Sequence, residues 1–186
     1  ELTPSEMVER IRAAGVVGMG GATFPTHVKL TPPVDKPINT LLINGVECEP
    51  YLTSDHRLML EETGRMLAGI AIVRRILGVD RVAIGIEVNK PDAIALLTER
   101  CDGLGIEVVS LEVKYPQGSE KQLIQALTGR QVPSGGLPMD VGVVVQNVST
   151  LAAVADAVID GKPLIERVCT VTGPAVVTPK NLRIRI

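Results

Sequence analysis

The sequence predicts an α/β protein built on a mostly parallel sheet with helices on both faces. Apolar runs alternate with helical patterns along most of the chain, and the runs are nearly continuous, as strands buried on both faces require. Hydrophobic residues make up 45% of the 186 residues, which is typical of a folded domain. From about residue 164 the pattern is β-rich without a helix, which indicates a different, smaller module.

The first predicted element is a helix that begins after Thr3. Pro4 suits the first helical position, Glu6 completes a capping box with Thr3, and Gly15 ends the helix. A glycine-rich loop, GVVGMGGATFPTHVKL (15–30), follows, and a proline-rich connector leads to the first predicted strand, INTLLING (38–45).

Strands and helices then alternate. One long helix is predicted over 53–78, and the next helix, at 90–101, is expected to start at Asn89. A further helix, at 119–129, is expected to be capped by Ser119 and Gln122 and to stop at Gly129, and the last helix covers 149–161. The remaining predicted strands are RVAIGIEV (81–88), IEVVSLEV (106–113) and VGVVVQNV (141–148).

Several functional classes are disfavoured by composition. A net charge of −2 argues against a nucleic-acid surface, and the most apolar run, MLAGIAIVRRILG, is interrupted by Arg74 and Arg75. Cys48, Cys101 and Cys169 lie too far apart to suggest a zinc or iron–sulfur site. The chain has no secretory signal pattern, lacks an initiator methionine and stops in a strand-like segment, so we expect a piece of a longer protein.

The glycine loop is not a standard nucleotide motif. It reads G-x-G-G and follows a predicted helix, so it matches neither the dinucleotide fingerprint nor the lysine-bearing phosphate loop. Parallel sheets bind ligands beyond the carboxyl ends of their strands, where this sequence has three polar stretches. These stretches are NGVECEP (44–50), YPQGSEKQ (115–122) and QNVST (146–150).

Together these features predict a flavin mononucleotide pocket with room for a second planar ligand. Glycine backbone can lie against a ring, Phe24 can stack, Lys29 can bind a phosphate, and Asn44 can bond a ring edge. Glu47 and its neighbour Glu49 can accept hydrogen bonds from hydroxyls or an amide. The helix start at Ser149 and Thr150 is expected to offer free N–H groups to an anion.

Each assignment has an ordinary structural alternative. Lys29 can be a solvated loop residue, the two glutamates can form an acidic surface turn, and Ser119 and Thr150 can be plain helix caps. We interpret His27 as structural and Cys48 as a wall residue of the pocket.

Four motifs, in one order, resemble a known family. GMGGATFPTHVKL (18–30), NGVECEPYLTSDHRLM (44–59), YPQGSEKQLIQALTGRQVPSGGLP (115–138) and VGVVVQNVSTLAAVADAV (141–158) closely resemble the C subunit of the Rnf electron-transport complex. More distantly, they resemble the flavin-bearing, NADH-oxidising subunit of respiratory complex I. The resemblance covers essentially the whole chain.

The resemblance implies a Rossmann-like, FMN- and NADH-binding domain at residues 1–163 and the start of a small β-grasp module at 164–186. It implies hydride exchange between NADH and FMN, then single-electron transfer to 4Fe-4S clusters outside this segment. The implied partners are the other subunits of a membrane complex that couples ferredoxin–NAD electron transfer to ion translocation, ferredoxin-type carriers and NADH, with no nucleic acid. The implied location is peripheral, on the cytoplasmic side of the bacterial inner membrane.

The resemblance also assigns roles to residues. It implies NADH contacts for Phe24, Glu49 and Glu120. The residues implied for FMN are Gly18, Gly20, Gly21, Lys29, Asn44, Glu47, Gly118, Ser119, Gln146, Asn147 and Thr150. No catalytic side chain and no metal ligand is implied in this segment.

Four positions depart from the complex I pattern. Met19 replaces an arginine of that pattern, and Thr23 replaces a glycine. Val46 replaces an aspartate, and Ser119 replaces a glutamate. The loss of two acids makes the pocket less negative, which should change the flavin potential and the nucleotide affinity.

Two other functions stay open at this point. The cobalamin reductase of diol-degrading microcompartments shares these motifs. A flavin-free scaffold, like the A subunit of the sodium-pumping quinone reductase, would keep the fold only. Intact Gly20, Gly21, Lys29 and Asn44 favour a flavin site over the scaffold.

Overall fold

The computed structural model describes residues 2–186 and contains two separate sheets. The strands are β1 (Thr40–Gly45), β2 (Arg81–Glu87), β3 (Ile106–Leu111), β4 (Val143–Asn147), β5 (Glu166–Val171) and β6 (Lys180–Arg185). The helices are α1 (Pro4–Ala13), α2 (Thr26–Lys29), α3 (Ser54–Glu61), α4 (Thr63–Leu77), α5 (Pro91–Cys101), α6 (Glu120–Thr128) and α7 (Val148–Asp160), with a 3-10 helix at Pro138–Val141.

The larger sheet is parallel throughout, in the order β3-β2-β1-β4. Ile43 of β1 is in register with Ile84 of β2 on one side and with Gln146 of β4 on the other. Parallel neighbours need long crossovers, and the helices supply them. The predicted α/β class and parallel sheet are confirmed.

Both faces of this sheet are buried. On one face, alternate strand residues such as Ile43 and Ile84 pack with α1, α4, α5 and α7 in the larger hydrophobic cluster. On the other face, Leu42 packs with Leu123 and Ile124 of α6 in a smaller cluster. The alternation of side chains along each strand divides the core in this way.

Helices α4 and α7 meet backbone to backbone. A Cβ atom on Gly69 of α4 would lie 1.9 Å from the carbonyl oxygen of Leu151 in α7. No side chain fits in that space, so glycine sets the distance between these two helices.

The start of the chain follows the sequence prediction. The Thr3 hydroxyl accepts from the Glu6 N–H at 3.3 Å, and the Glu6 carboxylate accepts from the Thr3 N–H at 2.7 Å, which completes the capping box. Gly15, just after α1, adopts a φ of 67°.

The predicted single helix over 53–78 is wrong, because the chain breaks it at Glu62, where φ is −119° and ψ is 26°. The next residue explains the break. The Thr63 hydroxyl donates to the Met59 carbonyl at 2.6 Å, so it occupies the acceptor that a continuous helix would give to the Thr63 N–H.

Two predicted caps differ in the structure. Helix α5 has Lys90, not Asn89, as its N-cap, and the Asn89 side-chain oxygen accepts from Lys90 Nζ at 3.1 Å instead of capping the helix. Ser119 does precede α6, but within residues 2–186 its side chain makes no capping hydrogen bond, so the cap expected with Gln122 does not form. Gly129 ends α6 in the left-handed conformation, as predicted.

The smaller sheet pairs β5 with β6 antiparallel, with Glu166 opposite Arg185. Its residues are half-buried or exposed. The sequence prediction of a separate β-rich end is confirmed in this two-stranded form. Within the described chain, no helix has the length and apolar character needed to cross a membrane.

Candidate functional site

The candidate site is a cleft of about 1570 Å³ at the carboxyl edge of the parallel sheet. Strands β1 and β4 end side by side in this sheet, and residues that follow both strands line the cleft. Ligands of α/β folds commonly bind beyond the carboxyl ends of such strands. The small sheet closes the far side of this cleft through β5 and β6.

The glycine loop forms one wall of the cleft with its main chain. Gly20 and Gly21 are exposed and line the cleft, and Gly21 has a φ of 141°, which favours glycine. The Gly18 N–H donates to the Phe24 carbonyl at 2.9 Å and closes the base of the loop. Backbone is therefore open to the cleft at Gly20 and Gly21.

The loop is anchored to the start of α7. The Met19 N–H donates to the Thr150 hydroxyl at 2.9 Å, and a Cβ on Gly20 would lie 3.2 Å from Cβ of Asn147. The loop therefore lies directly against the end of β4, and Thr150 is occupied as its anchor.

Asn44, near the end of β1, joins two walls of the cleft. Its Nδ2 donates to the Gly118 carbonyl at 2.8 Å, and its Oδ1 accepts from the Val46 N–H at 3.1 Å. A Cβ on Gly118 would lie 2.5 Å from the Val46 carbonyl oxygen, so only glycine permits this approach. The Gly118 N–H also donates to Cys48 Sγ at 3.3 Å, which places Cys48 in the wall, as predicted.

Glu47 is buried and caps helix α3. Its carboxylate accepts from the Ser54 hydroxyl at 3.1 Å, the Asp55 N–H at 3.0 Å and the His56 N–H at 3.2 Å. A carboxylate is favourable at a helix N-terminus, where it meets free N–H groups and the positive end of the dipole. Glu47 lines the cleft, and three of its acceptor positions are used by donors at the start of α3.

Asp55 is a cleft residue that the sequence analysis missed. Its carboxylate accepts from Asn147 Nδ2 at 2.6 Å and from the Ser149 hydroxyl at 2.5 Å. Burial raises the pKa of Asp55 to about 6, and the nearby Glu47 charge adds to the rise, while the hydrogen bonds from Ser149 and Asn147 oppose it. The sequence carries one signal for it, an acid in the first turn of a helix directly after a candidate loop.

The expected free N–H groups at the start of α7 are not free. Asn147 is the N-cap, and its Oδ1 accepts from the N–H groups of Ser149, at 2.9 Å, and Thr150, at 3.2 Å. The prediction that these two N–H groups are free is therefore wrong, because the preceding side chain satisfies them, and the anion-binding role of this helix start stays a prediction.

The Lys29 side chain makes its contacts outside the cleft lining. Its Nζ contacts the Glu120 carboxylate at 2.5 Å and the Val145 carbonyl at 3.1 Å. Both side chains are about one-third exposed, so this ion pair remains accessible to solvent.

The structure thus brings together part of the predicted set. The predicted residues that line the cleft are Gly20, Gly21, Asn44, Glu47, Glu49, Gly118, Ser119 and Asn147. Within residues 2–186, the cleft lining does not include Gly18, Phe24, Lys29, Glu120, Gln146 or Thr150. Phe24 is half-exposed on the glycine loop, and Gln146 is buried in β4.

One protein family matches most of this chain. Residues 11–156 match the family described as the Nuo51 FMN-binding domain. The whole parallel sheet and the glycine loop lie in this part of the chain, so the match includes the cleft-lining residues up to Asp156.

Curated relatives agree with the sequence resemblance. The chain is 56% identical, over its full length, to the C subunit of the proton-translocating ferredoxin:NAD(+) oxidoreductase complex of Clostridium ljungdahlii. It is 52% identical, over 93% of its length, to the C subunit of the Na(+)-translocating ferredoxin:NAD(+) oxidoreductase complex of Acetobacterium woodii. It spans 41% and 39% of these two relatives, less than half of each. The resemblance to the C subunit of the Rnf complex is confirmed.

A solved structure shows the same fold. One chain of an NAD⁺-reducing [NiFe]-hydrogenase in its H₂-reduced state matches with a TM-score of 0.71 and 27% identity, over 83% of this chain and 30% of that chain. From the family match and these relatives, the chain belongs to the family of the Nuo51 FMN-binding domain.

Proposed function

We propose that this chain is the FMN- and NAD(H)-binding domain of the C subunit of an ion-translocating ferredoxin:NAD⁺ oxidoreductase complex. The observation that carries the proposal is the open glycine backbone at Gly20 and Gly21, which shares one cleft with Asn44 and Gly118 at the carboxyl edge of the sheet. The matched family description and the names of the relatives support FMN and an NAD-linked oxidoreductase.

The residues of the cleft fit a flavin. A planar ring needs a wall without bulky side chains, and Gly20 and Gly21 provide one. Another part of the wall is held by the Asn44 bond to Gly118 and by the close approach of Gly118 to Val46. Internal contacts thus fix both parts of the wall before any ligand arrives, which lowers the cost of ordering the site on binding.

FMN, when bound, would exchange a hydride with NAD(H) and pass electrons singly to iron–sulfur clusters. The side chains of this domain supply position and electrostatics. Glu47 and Asp55 hold α3 and the start of α7 in place, and Asn44 holds the end of β1 against the loop before α6. Glu49 and Ser119 are exposed in the cleft and free to meet a ligand's polar edge.

We propose that NAD(H) contacts the protein beside the glycine loop. Phe24 is 47% exposed at the end of that loop, so its ring is available to stack on a base. Glu120 and Lys29 form an exposed ion pair next to the loop before α6, and binding of a nucleotide at either would require that pair to open.

Assembly is proposed on the same basis. The relatives are subunits of multi-subunit complexes, which supports partner subunits and ferredoxin-type carriers for this chain. We place the domain peripherally, on the cytoplasmic side of the membrane, with its 4Fe-4S clusters outside residues 1–186. Residues 1–163 form the flavin domain in this proposal, and 164–186 begin a β-grasp module.

Titration of the purified protein with FMN, followed by quenching of flavin fluorescence, tests the proposal. Wild-type protein should bind saturably, and Gly20→Val and Asn44→Ala should each weaken binding about tenfold or more. Gly64→Val is the matched control, because a Cβ there meets nothing within 4 Å and Gly64 is outside the cleft. An absence of saturable binding by wild type would favour the flavin-free scaffold instead.

A further inference from the structure

We propose that Arg167, on strand β5 of the small sheet, binds a phosphate group of the nucleotide held in the cleft. This inference rests on the proposed function and adds a residue from outside the segment that matches the family. It assigns a binding role in the site to the small sheet.

Arg167 lies at the glycine loop. Its Nη2 donates to the Met19 carbonyl at 3.2 Å, and its side chain lines the same cleft as Gly20 and Gly21. A residue 148 positions away in sequence is thus placed beside the exposed main chain that the flavin site requires.

The guanidinium has hydrogen-bonding capacity left over. Within the described part of the chain, Nε of Arg167 is buried without a partner. An arginine carries five N–H donors in a planar fork, a geometry that matches phosphate oxygens. The buried Nε is shielded from the cleft, so the donors left for an anion are on the terminal nitrogens, of which Nη2 makes the bond to Met19.

The nearby acids do not neutralise Arg167 by hydrogen bonding. Asp55 is near enough for its charge to interact with Arg167, but its two oxygens accept from Asn147 and Ser149. The Glu47 carboxylate is likewise occupied by donors at the start of α3. The Asp55 charge reduces the local positive potential, but within residues 2–186 neither carboxylate accepts a hydrogen bond from Arg167.

The other arginines of the cleft lining have acidic partners. Among residues 2–186, Arg167 is the arginine of this lining without a carboxylate within ion-pair distance. The paired arginines are Arg57 with Glu61, Arg65 with Asp156 and Asp160, and Arg183 with Glu166.

Two ligands carry the required group, namely the 5′-phosphate of FMN and the pyrophosphate of NAD(H). Binding titrations distinguish them. FMN and riboflavin are titrated against wild type, Arg167→Gln, Arg167→Lys and the control Arg185→Gln, whose arginine lies exposed on β6 outside the cleft lining. NAD⁺ binding to each FMN-loaded protein is measured by calorimetry.

If Arg167 binds the flavin phosphate, Arg167→Gln should weaken FMN binding about tenfold or more. It should weaken the binding of riboflavin, which has no phosphate, less than twofold. If it is the dinucleotide pyrophosphate, FMN binding should stay unchanged and NAD⁺ binding should fall about tenfold. Arg167→Lys keeps the positive charge, so its loss of affinity should be smaller in either case. If Arg167→Gln does not fold, the same titrations are made with Arg167→Lys.

Two results would overturn the inference. One is unchanged FMN and NAD⁺ affinity in both Arg167 variants. The other is a loss of riboflavin affinity as large as the loss for FMN, which would mean that Arg167 only supports the glycine loop. Failure of wild type to bind FMN would instead contradict the proposed function itself.

Discussion

The parallel sheet and the small antiparallel sheet are held in the molecule by different forces. All five residues of β4 are buried, whereas β6 has one half-buried residue among six and the rest exposed. The parallel sheet is stabilised by apolar burial on both faces. The small sheet exposes apolar side chains such as Ile184 and relies on polar contacts to stay in place.

Those polar contacts are few and directional. Asn181 of β6 accepts from the hydroxyls of Thr53 and Thr170, and the Leu164 N–H donates to the Ala14 carbonyl at 2.8 Å. Arg167 adds its bond to the glycine loop. The cleft therefore has one rigid side, made by the packed core, and one side whose position depends on a small number of hydrogen bonds.

The largest expected effect is on the rigid side. Gly69→Ala places a methyl group 1.9 Å from the Leu151 carbonyl oxygen, so α4 and α7 must separate, at a cost of about 3 kcal/mol or more of unfolding free energy. Gly64→Ala, on the same helix but in open space, should instead stabilise by about 0.5–1 kcal/mol. Urea unfolding measures both, and similar values for the two variants would contradict the packing argument.

An effect of intermediate size on stability is expected at Asp55, which lines the cleft between the parallel sheet and the small sheet. The folded state raises its pKa from 3.8 to about 6, so it binds more protons than the unfolded chain in that window. Stability should therefore fall as pH rises from about 4 to about 6, by less than about 3 kcal/mol, because solvent reaches part of the residue and screens its charge. Asp55→Asn should remove this fall, as measured by unfolding free energy against pH.

Asp92→Asn is the control, because the pKa shift of Asp92 makes stability change with pH in the opposite direction. A hydrogen bond from His56 lowers the pKa of Asp92, so its contribution is present above the ordinary pKa and is lost as pH falls. A pH dependence that is the same in wild type and Asp55→Asn would show that Asp55 titrates normally.

The smallest effect is expected at the attachment of the small sheet. Asn181→Ala removes the acceptor for Thr53 and Thr170 and should cost about 1 kcal/mol locally, with little change in the unfolding of the parallel-sheet region. Hydrogen exchange of the Thr53 amide, which donates to the Thr170 hydroxyl, reports the loosening. Thr178→Ala, at an exposed position, should leave that exchange rate unchanged.

Most of the fold was predictable because apolar periodicity is a local signal. The predicted strand at 38–45 becomes Thr40–Gly45, and the capping box at Thr3 forms as expected. The break at Glu62 was not predictable from periodicity, because Met59 and Met66 keep the same buried face on both sides of it. The Asn89 cap does not form, and its side-chain oxygen accepts from the neighbouring Lys90 instead.

The site was predicted less completely, because its decisive contacts join distant segments. Gly20, Asn44 and Asn147 do share the cleft. Asp55 and Arg167 were missed, since their partners lie 92 and 148 positions away and no local pattern marks them. Sequence alone could not show that Asn147 would satisfy the N–H groups at the start of α7.

Met19 is held from two sides, its N–H by Thr150 of α7 and its carbonyl by Arg167 of β5. A tilt of the small sheet would therefore act on the glycine loop directly, through this single residue. The position of the cleft wall at Gly20 and Gly21 therefore depends on where β5 lies.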